Sequence, residues 1–277
     1  MWPTLLKVGN FEITTFGLMM FLAFVIGGWV LARQFRRAGL DEEFASTMVV
    51  AGALGGIVGA KAYYAILFGD WRLFFDRAGL VWYGGLIGGA LACSWVIWRR
   101  RLDFLKVADA TAPALSLGYA LGRIGCFLVG DDYGRPTDAW FGVAFPKGAP
   151  PTTAQSLREF GVAVDASIPG HQVLRVHPTQ LYETAAALVM FGILIWLNRR
   201  PHAKGLSWGL FMIMLGIERF LVEIVRAKDD RFFGPFTVAQ IISVLLVIGG
   251  GILAATVVAR AKRDPEPAVT ASRSRRR

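Results

Sequence analysis

Apolar residues run along this chain in long stretches that neither alternate strictly nor keep to a narrow helical stripe, and charge interrupts them at nearly regular intervals. A helix needs roughly 20 apolar residues to cross the ~30 Å of a bilayer's hydrocarbon core. Seven stretches qualify: Phe16–Ala32, Phe44–Phe68, Leu80–Trp98, Phe104–Val129, Thr179–Leu197, Leu206–Val225 and Phe236–Val258. Several are rich in glycine and alanine, as at Ala51-Gly52-Ala53-Leu54-Gly55-Gly56 and Gly84-Gly85-Leu86-Ile87-Gly88-Gly89. Small residues let helix backbones approach closely in lipid. The pattern predicts an all-α integral membrane protein of about seven transmembrane helices, spanning residues 1–259.

The connections between the stretches differ in charge, and the difference sets an orientation. Arg33, Arg36 and Arg37, then Arg99, Arg100, Arg101 and Lys106, then Arg199, Arg200 and Lys204 lie in alternate connections, as does the tail from Arg260 to Arg277. Basic clusters of this kind stay in the cytoplasm. The other connections carry Asp70, Asp76, Asp131, Asp132, Asp138, Asp229 and Asp230 and are expected outside, with the N-terminus. The first stretch has one early lysine, Lys7, and no small-residue cleavage site, so a retained anchor is expected. One connection, about residues 130–176, is long and holds Pro146, Pro150, Pro151 and Pro169; it predicts a small external cap between helices four and five. Residues 260–277 are rich in Pro, Ser and Arg and predict a disordered basic cytoplasmic tail, solvated or resting on anionic lipid.

Composition narrows the class. Of the 277 residues 55% are hydrophobic and 13% aromatic, too apolar for a chain whose solvent is water alone. A net charge of +10 would raise nucleic acid as a partner in a soluble protein, but here the charge sits in short clusters between apolar runs, so no nucleic-acid partner is expected. Two cysteines, Cys93 and Cys126, fall in different stretches and give no disulfide framework. His171, His177 and His202 are scattered among loops, there is no P-loop or GxGxxG, and neither a metal site nor a cofactor is expected.

Ionisable groups within the stretches cost at least a few kcal/mol each near the bilayer centre and tend to mark function. Lys61, Arg123, Glu218, Arg219 and Glu223 all lie toward the outer ends of their stretches, so they share a depth. Arg219, Glu223 and Arg226 follow at spacings of four and three and line one helical face. Guanidinium groups match phosphate oxygens in pairs and keep their charge when partly desolvated. With Arg123 from another helix, they suit an outer-leaflet pocket for an anionic lipid headgroup. The alternative is a set of ion pairs or snorkelling side chains that only hold helices in place.

The segment Gly122-Arg123-Ile124-Gly125-Cys126-Phe127-Leu128-Val129-Gly130-Asp131-Asp132-Tyr133-Gly134 resembles the GRxGNFxNxExxG signature of the bacterial prolipoprotein diacylglyceryl transferases. Further blocks are similar in order: Phe16-Gly17-Leu18 to YGL, Tyr83-Gly84-Gly85-Leu86-Ile87-Gly88 to HGGLIG, Asp109 with Ala112-Pro113 to the entry of helix four, and His177-Pro178-Thr179-Gln180-Leu181-Tyr182-Glu183 to HPSQLYE. Gly216-Ile217-Glu218-Arg219-Phe220-Leu221-Val222-Glu223-Ile224-Val225-Arg226 is similar to YGxxRFxxExxR. The resemblance covers the chain apart from its tail.

The resemblance implies a seven-helix enzyme of the bacterial cytoplasmic (inner) membrane. Its substrates would be phosphatidylglycerol and preprolipoproteins presented by their signal peptides, with diacylglyceryl going to the lipobox cysteine and glycerol phosphate leaving. It implies catalytic roles for Arg219, Glu223, Tyr83 and His177, lipid phosphate binding by Arg123, Arg219 and Arg226, and signature positions at Gly122, Gly125, Cys126, Asp131 and Gly134. The chain departs from the family pattern where Phe16 and Leu215 replace tyrosines, Tyr83 a histidine, Cys126 an asparagine and Asp131 a glutamate. A phenol with an ordinary pKa near ~10 is a poor substitute for an imidazole that titrates near neutrality. Two other functions fit the intramembrane charges: a non-enzymatic paralogue that binds phosphatidylglycerol or a related anionic lipid, and a transporter, against which the lack of an inverted repeat speaks.

Overall fold

A computed structural model describes residues 4–8, 11–76, 79–228, 231–233 and 236–263. The expected disordered tail beyond residue 263 and the acidic pair Asp229-Asp230 lie outside the described residues. Strands β1 (Thr4–Val8) and β2 (Phe11–Thr14) form an antiparallel hairpin, which the apolar pattern did not announce. Helices α1 (Thr15–Arg37), α2 (Phe44–Phe68), α3 (Trp82–Arg99) and α4 (Phe104–Val129) follow, with a short 3-10 turn, Trp71–Phe75, between α2 and α3. Next come β3 (Val143–Ala144), α5 (Ala154–Glu159) and β4 (Arg175–Val176). The chain continues through α6 (Thr179–Asn198), α7 (Leu206–Val225), the hairpin β5 (Arg231–Phe233) and β6 (Phe236–Thr237), and α8 (Val238–Arg263).

Local chemistry fixes the helix ends. The Thr14 hydroxyl accepts the Gly17 amide at 3.0 Å at the start of α1, and Asp103 accepts the Lys106 amide at 3.2 Å at the start of α4. Gly69 and Gly130 end α2 and α4 in the left-handed region, at φ 65° and 77°. The basic cluster expected after the first span belongs to α1 itself, where Arg36 and Arg37 complement the negative end of the helix dipole. The last helix starts two residues later than expected and runs five residues past Val258.

Five helices are long and apolar enough to cross a membrane by length and composition: α1, α2, α4, α6 and α8. The chain is a predominantly helical integral membrane protein. Helices α3 and α7 fall outside that measure, α3 because its glycines, tryptophans and terminal Arg99 dilute its apolarity and α7 because it carries Glu218, Arg219 and Glu223. Each lies closely along a full-length neighbour. A Cβ on Gly59 or Gly88 would run into the carbonyls of Gly84 and Gly55, so α2 and α3 touch backbone to backbone. The same device joins α7 to α8, where a Cβ on Gly250 would lie 2.6 Å from the Gly209 carbonyl and one on Gly216 2.6 Å from that of Ser243.

Toward the α1 C-terminus a core forms from Val30, Leu31, Phe35, Phe44, Met48, Ile97 and Val107. At that end α4 also steadies α7. The buried Asp109 carboxylate accepts the amides of Gly205 at 2.6 Å and Trp208 at 2.8 Å, capping a helix that has no cap of its own. His202 sits 3.6 Å from the same carboxylate, whose hydrogen bond raises the imidazole pKa. At the opposite end the segment between α4 and α6 folds into the cap expected there. Tyr133, Phe145, Leu157, Val162 and Val176 make its core, with the Tyr133 and Phe145 rings stacked at 5.8 Å. The buried Thr152 hydroxyl accepts from the Phe145 amide and donates to the Leu174 carbonyl.

Candidate functional site

Where the cap meets α4, α6 and α7, six charged side chains form a closed ring of alternating sign. Arg123, near the end of α4, is 3.0 Å from Asp132 of the cap and 3.2 Å from Glu183 of α6. Glu183 is 3.5 Å from Arg219 of α7, and Arg219 is 2.5 Å from Glu223 one turn on. Glu223 is 3.7 Å from Arg226, and Arg226 closes the circuit on Asp132 at 2.5 Å. Every guanidinium has two carboxylates and every carboxylate two guanidiniums.

The ring has a floor and an open side. Glu183 and Glu223 expose 2% and 1% of their side chains, whereas the arginines keep 17–21% and Asp132 39%. Burial alone would raise the Asp132 carboxyl, but Arg226 and Arg123 outweigh it and hold it at about 2. Its neighbour Asp131, outside the ring, is raised by burial and then by the Asp132 charge. The ring is not saturated: Arg219 Nη1 and Glu223 Oε1 are buried without a hydrogen-bond partner. A planar acceptor group entering from the open side would meet donors already held in place. Two surface hollows, of about 370 Å³ beside Ser46 and Val50 and about 280 Å³ between α7 and α8, include no ring residue.

The backbone around the ring explains its assembly. Asp132 adopts φ 52°, the left-handed region that aspartate tolerates better than most residues, and so turns its side chain back toward α4 and α7. The Asp132 carbonyl accepts from Thr179 Oγ1 at 2.7 Å, and the Asp131 carbonyl from Gln180 Nε2. Gly134 donates to the His177 carbonyl and Arg135 to the Val225 carbonyl, each at 2.8 Å. The cap is thereby sewn to the start of α6 and the end of α7.

Arg123, Arg219, Glu223 and Arg226 are therefore brought together as their shared depth suggests. Tyr83 and His177 stand apart from them. Tyr83 lies at the start of α3 with its ring edge-on to Trp82 at 5.2 Å, and among the described residues no hydrogen bond or ion pair links it to the ring. His177 Nδ1 is 3.1 Å from the Tyr182 hydroxyl, with Phe141 as the third member of that aromatic cluster. Cys126 is buried with Sγ 3.8 Å from Arg123 Nη1. Gly125 faces Met19 and Phe16 of α1, while nothing crowds Gly122. Lys61 is tied to the Asp76 carbonyl, away from the ring.

Asp132, Glu183 and Tyr119 are assigned no role by the sequence pattern, and Glu218 stands out there only as an intramembrane charge without a specific role. The Tyr119 hydroxyl is 2.9 Å from Glu183 Oε1 and 3.4 Å from Glu218 Oε2, and the Arg123 guanidinium lies 5.3 Å from the Tyr119 ring centre. The available signal for Tyr119 was its place one helical turn before Arg123. Among the described residues no group of three or more His, Cys, Asp and Glu side chains is arranged to hold a metal ion.

Comparison with known proteins extends across the same elements. The family model described as prolipoprotein diacylglyceryl transferase matches residues 3–256. A phosphatidylglycerol–prolipoprotein diacylglyceryl transferase of Aliivibrio fischeri (strain MJ11) is 31% identical over 263 residues, covering 90% of this chain and 84% of the relative. Proteins of the same name from Vibrio atlanticus (strain LGP32), 32% identical over 91% of this chain and 89% of theirs, and Chromohalobacter salexigens, 30% over 90% and 89%, are similar to the same extent. With the match running from the first strand through most of α8, the chain belongs to the prolipoprotein diacylglyceryl transferase family.

Proposed function

We propose that this chain transfers the diacylglyceryl group of phosphatidylglycerol to the lipobox cysteine thiol of preprolipoproteins, at the outer side of the bacterial cytoplasmic membrane. The observation that carries this reading is the ring: three guanidiniums, from α4, α7 and the residue that follows α7, and the carboxylates that aim them, open on one side at the cap junction. Arg123, Arg219 and Arg226 would take the phosphate oxygens of the anionic donor. As the bond between the diacylglyceryl carbon and the phosphate oxygen breaks, charge grows on the departing glycerol phosphate, and fixed guanidiniums favour that charge in a poorly solvated site. The thiol sulfur forms the new carbon–sulfur bond and gives up its proton. His177 is the imidazole nearest the cap junction for that proton, with Tyr83 holding the position of the family's histidine.

The chain sits in the membrane as seven spans, α3 and α7 crossing with the partners they lie along, N-terminus outside and C-terminus in the cytoplasm. Trp29 under Arg33 at 3.6 Å and Trp196 under Arg200 at 4.0 Å support this orientation. Both pairs occupy the arginine-rich helix ends, where an aromatic belt meets the cytoplasmic headgroups. The signal peptide of the acceptor would enter from lipid beside the ring.

The test is transfer itself. Purified protein with phosphatidylglycerol and a lipobox peptide should form the thioether, and Arg123→Lys or Arg219→Lys should slow it at least tenfold, because an ammonium lacks the planar fork. Tight binding of the lipid without any transfer would overturn the reading. So would full activity in both lysine variants.

A further inference from the structure

Resting on the reading of the ring as a phosphate site, we propose that Tyr119 and Glu218 form a proton relay that neutralises Glu183 when an anionic phosphate engages Arg123 and Arg219. The relay begins from a conflict within the ring. Glu183 stands 3.2 Å from Arg123 and 3.5 Å from Arg219, so its charge already faces both guanidiniums when a phosphate arrives, even though Arg219 Nη1 makes no hydrogen bond to it. Asp132, at the exposed rim, can swing into solvent and give up its place. Glu183 cannot, because its side chain is 2% exposed and is enclosed by α4, α6 and α7. An incoming phosphate would then stand beside an ionised carboxylate in a poorly solvated site, where like charges repel strongly. Gaining a proton is the one way for Glu183 to release the guanidiniums without moving.

The means of delivering that proton is in place. A phenol has a single proton to donate and a carboxylate has none. The Tyr119 hydroxyl lies 2.9 Å from Glu183 and 3.4–3.5 Å from both oxygens of Glu218, so it donates to the nearer Glu183. Glu218 is 7% exposed and has no guanidinium within ion-pair distance among the described residues. With the single Tyr119 proton turned to the nearer Glu183, Glu218 can bond Tyr119 only as a donor, and the relay assigns it the proton for that role. Glu218, Tyr119 and Glu183 form a row that ends on the ring at Glu183.

The step balances within the row. The Tyr119 proton passes to Glu183 as the Glu218 proton passes to Tyr119, leaving Glu218 as the carboxylate and Glu183 as the acid. One negative charge moves away from the phosphate by the length of the row, and nothing is drawn from solvent. The charged and titratable groups around it are Arg123 and Cys126 of α4, Asp132 of the cap, Glu183 of α6 and Arg219 of α7 itself. Helix α8, on the far side of α7, has no titratable residue between Val238 and Val258.

Calorimetric titration of the full-length protein with dihexanoyl phosphatidylglycerol, repeated in buffers of different ionisation enthalpy, counts the protons exchanged on binding. The wild type should exchange none. Glu218→Gln keeps the shape but cannot supply the proton, and Tyr119→Phe cuts the row while leaving both carboxyl groups. Each should take up a proton from buffer per lipid bound, so that affinity falls about tenfold for each unit rise in pH. A merely structural role would weaken binding without creating proton uptake. The inference is overturned if the wild type draws a proton from buffer, or if a folded variant binds without one. Should Glu218→Gln not fold, Tyr119→Phe decides. Failure of the wild type to bind the lipid at all is a different result, and sinks the phosphate site itself.

Discussion

At Gly134 a Cβ would sit 2.7 Å from both the His177 Cβ and the Val225 carbonyl oxygen, and 2.9 Å from Thr179 Cγ2. Two of these are fixed by the seam between the cap, α6 and α7, so a methyl group must push the seam apart. Overpacking of this kind costs roughly 1–3 kcal/mol. Gly134→Ala is expected to lower the thermal unfolding midpoint in detergent and to weaken transfer through displacement of Asp132; an unchanged midpoint would show that the seam yields freely. The family pattern marks this glycine, but only the structure says what it avoids. The same holds for the charges. Arg123, Arg219 and Glu223 were legible because ionisable residues at one depth in apolar stretches stand out, and Arg226 because it follows Glu223 at helical spacing; Lys61, at the same expected depth, is tied to the Asp76 carbonyl instead. Their mates Glu183 and Asp132 were not, because pairing across 60 and 94 positions depends on how α6 and the cap turn against α4 and α7.

Helix α7 shows what element-scale reading can and cannot reach. Its bounds coincide with the apolar stretch Leu206–Val225, yet the device that sets its start lies on another helix. Asp109 accepts two amides of the first turn, 96 and 99 residues away, and charge-assisted bonds of this kind contribute about 1.5–3 kcal/mol each. Asp109→Ala should therefore cost about 2 kcal/mol or more, read as a fall in the unfolding midpoint, with Asp109→Asn losing less since its amide oxygen can still accept. Equal stability of all three proteins would remove the capping role. The N-terminal hairpin β1–β2 was missed for a different reason: five- and four-residue strands beside a long apolar run leave too short a pattern to separate from the run itself.

Across the whole molecule all seven expected stretches are helical, and five of them have the length and apolarity to cross a membrane, because bilayer thickness imposes a length that the sequence shows directly. At α3 and α7, which are long enough but less apolar, close glycine contacts join each to its neighbour, α2 or α8. The expected topology places the cap outside and the arginine-rich loops inside. Single cysteines at Asp138 and at Arg200, in a background with Cys93 and Cys126 removed, should be modified by an impermeant reagent in intact cells only at the first position; the reverse would invert the molecule. The cap is joined to the helices through the ring as well as through its backbone seam, with Asp132 as the one ring member the cap contributes. A circuit with every cation doubly matched presents little net field to draw a lipid in, so admission of the donor is an exchange of partners and not a capture. Its pace would be set by how often the Asp132 link parts, and the turnover of an enzyme built this way saturates with lipid concentration at the opening frequency of its own lock.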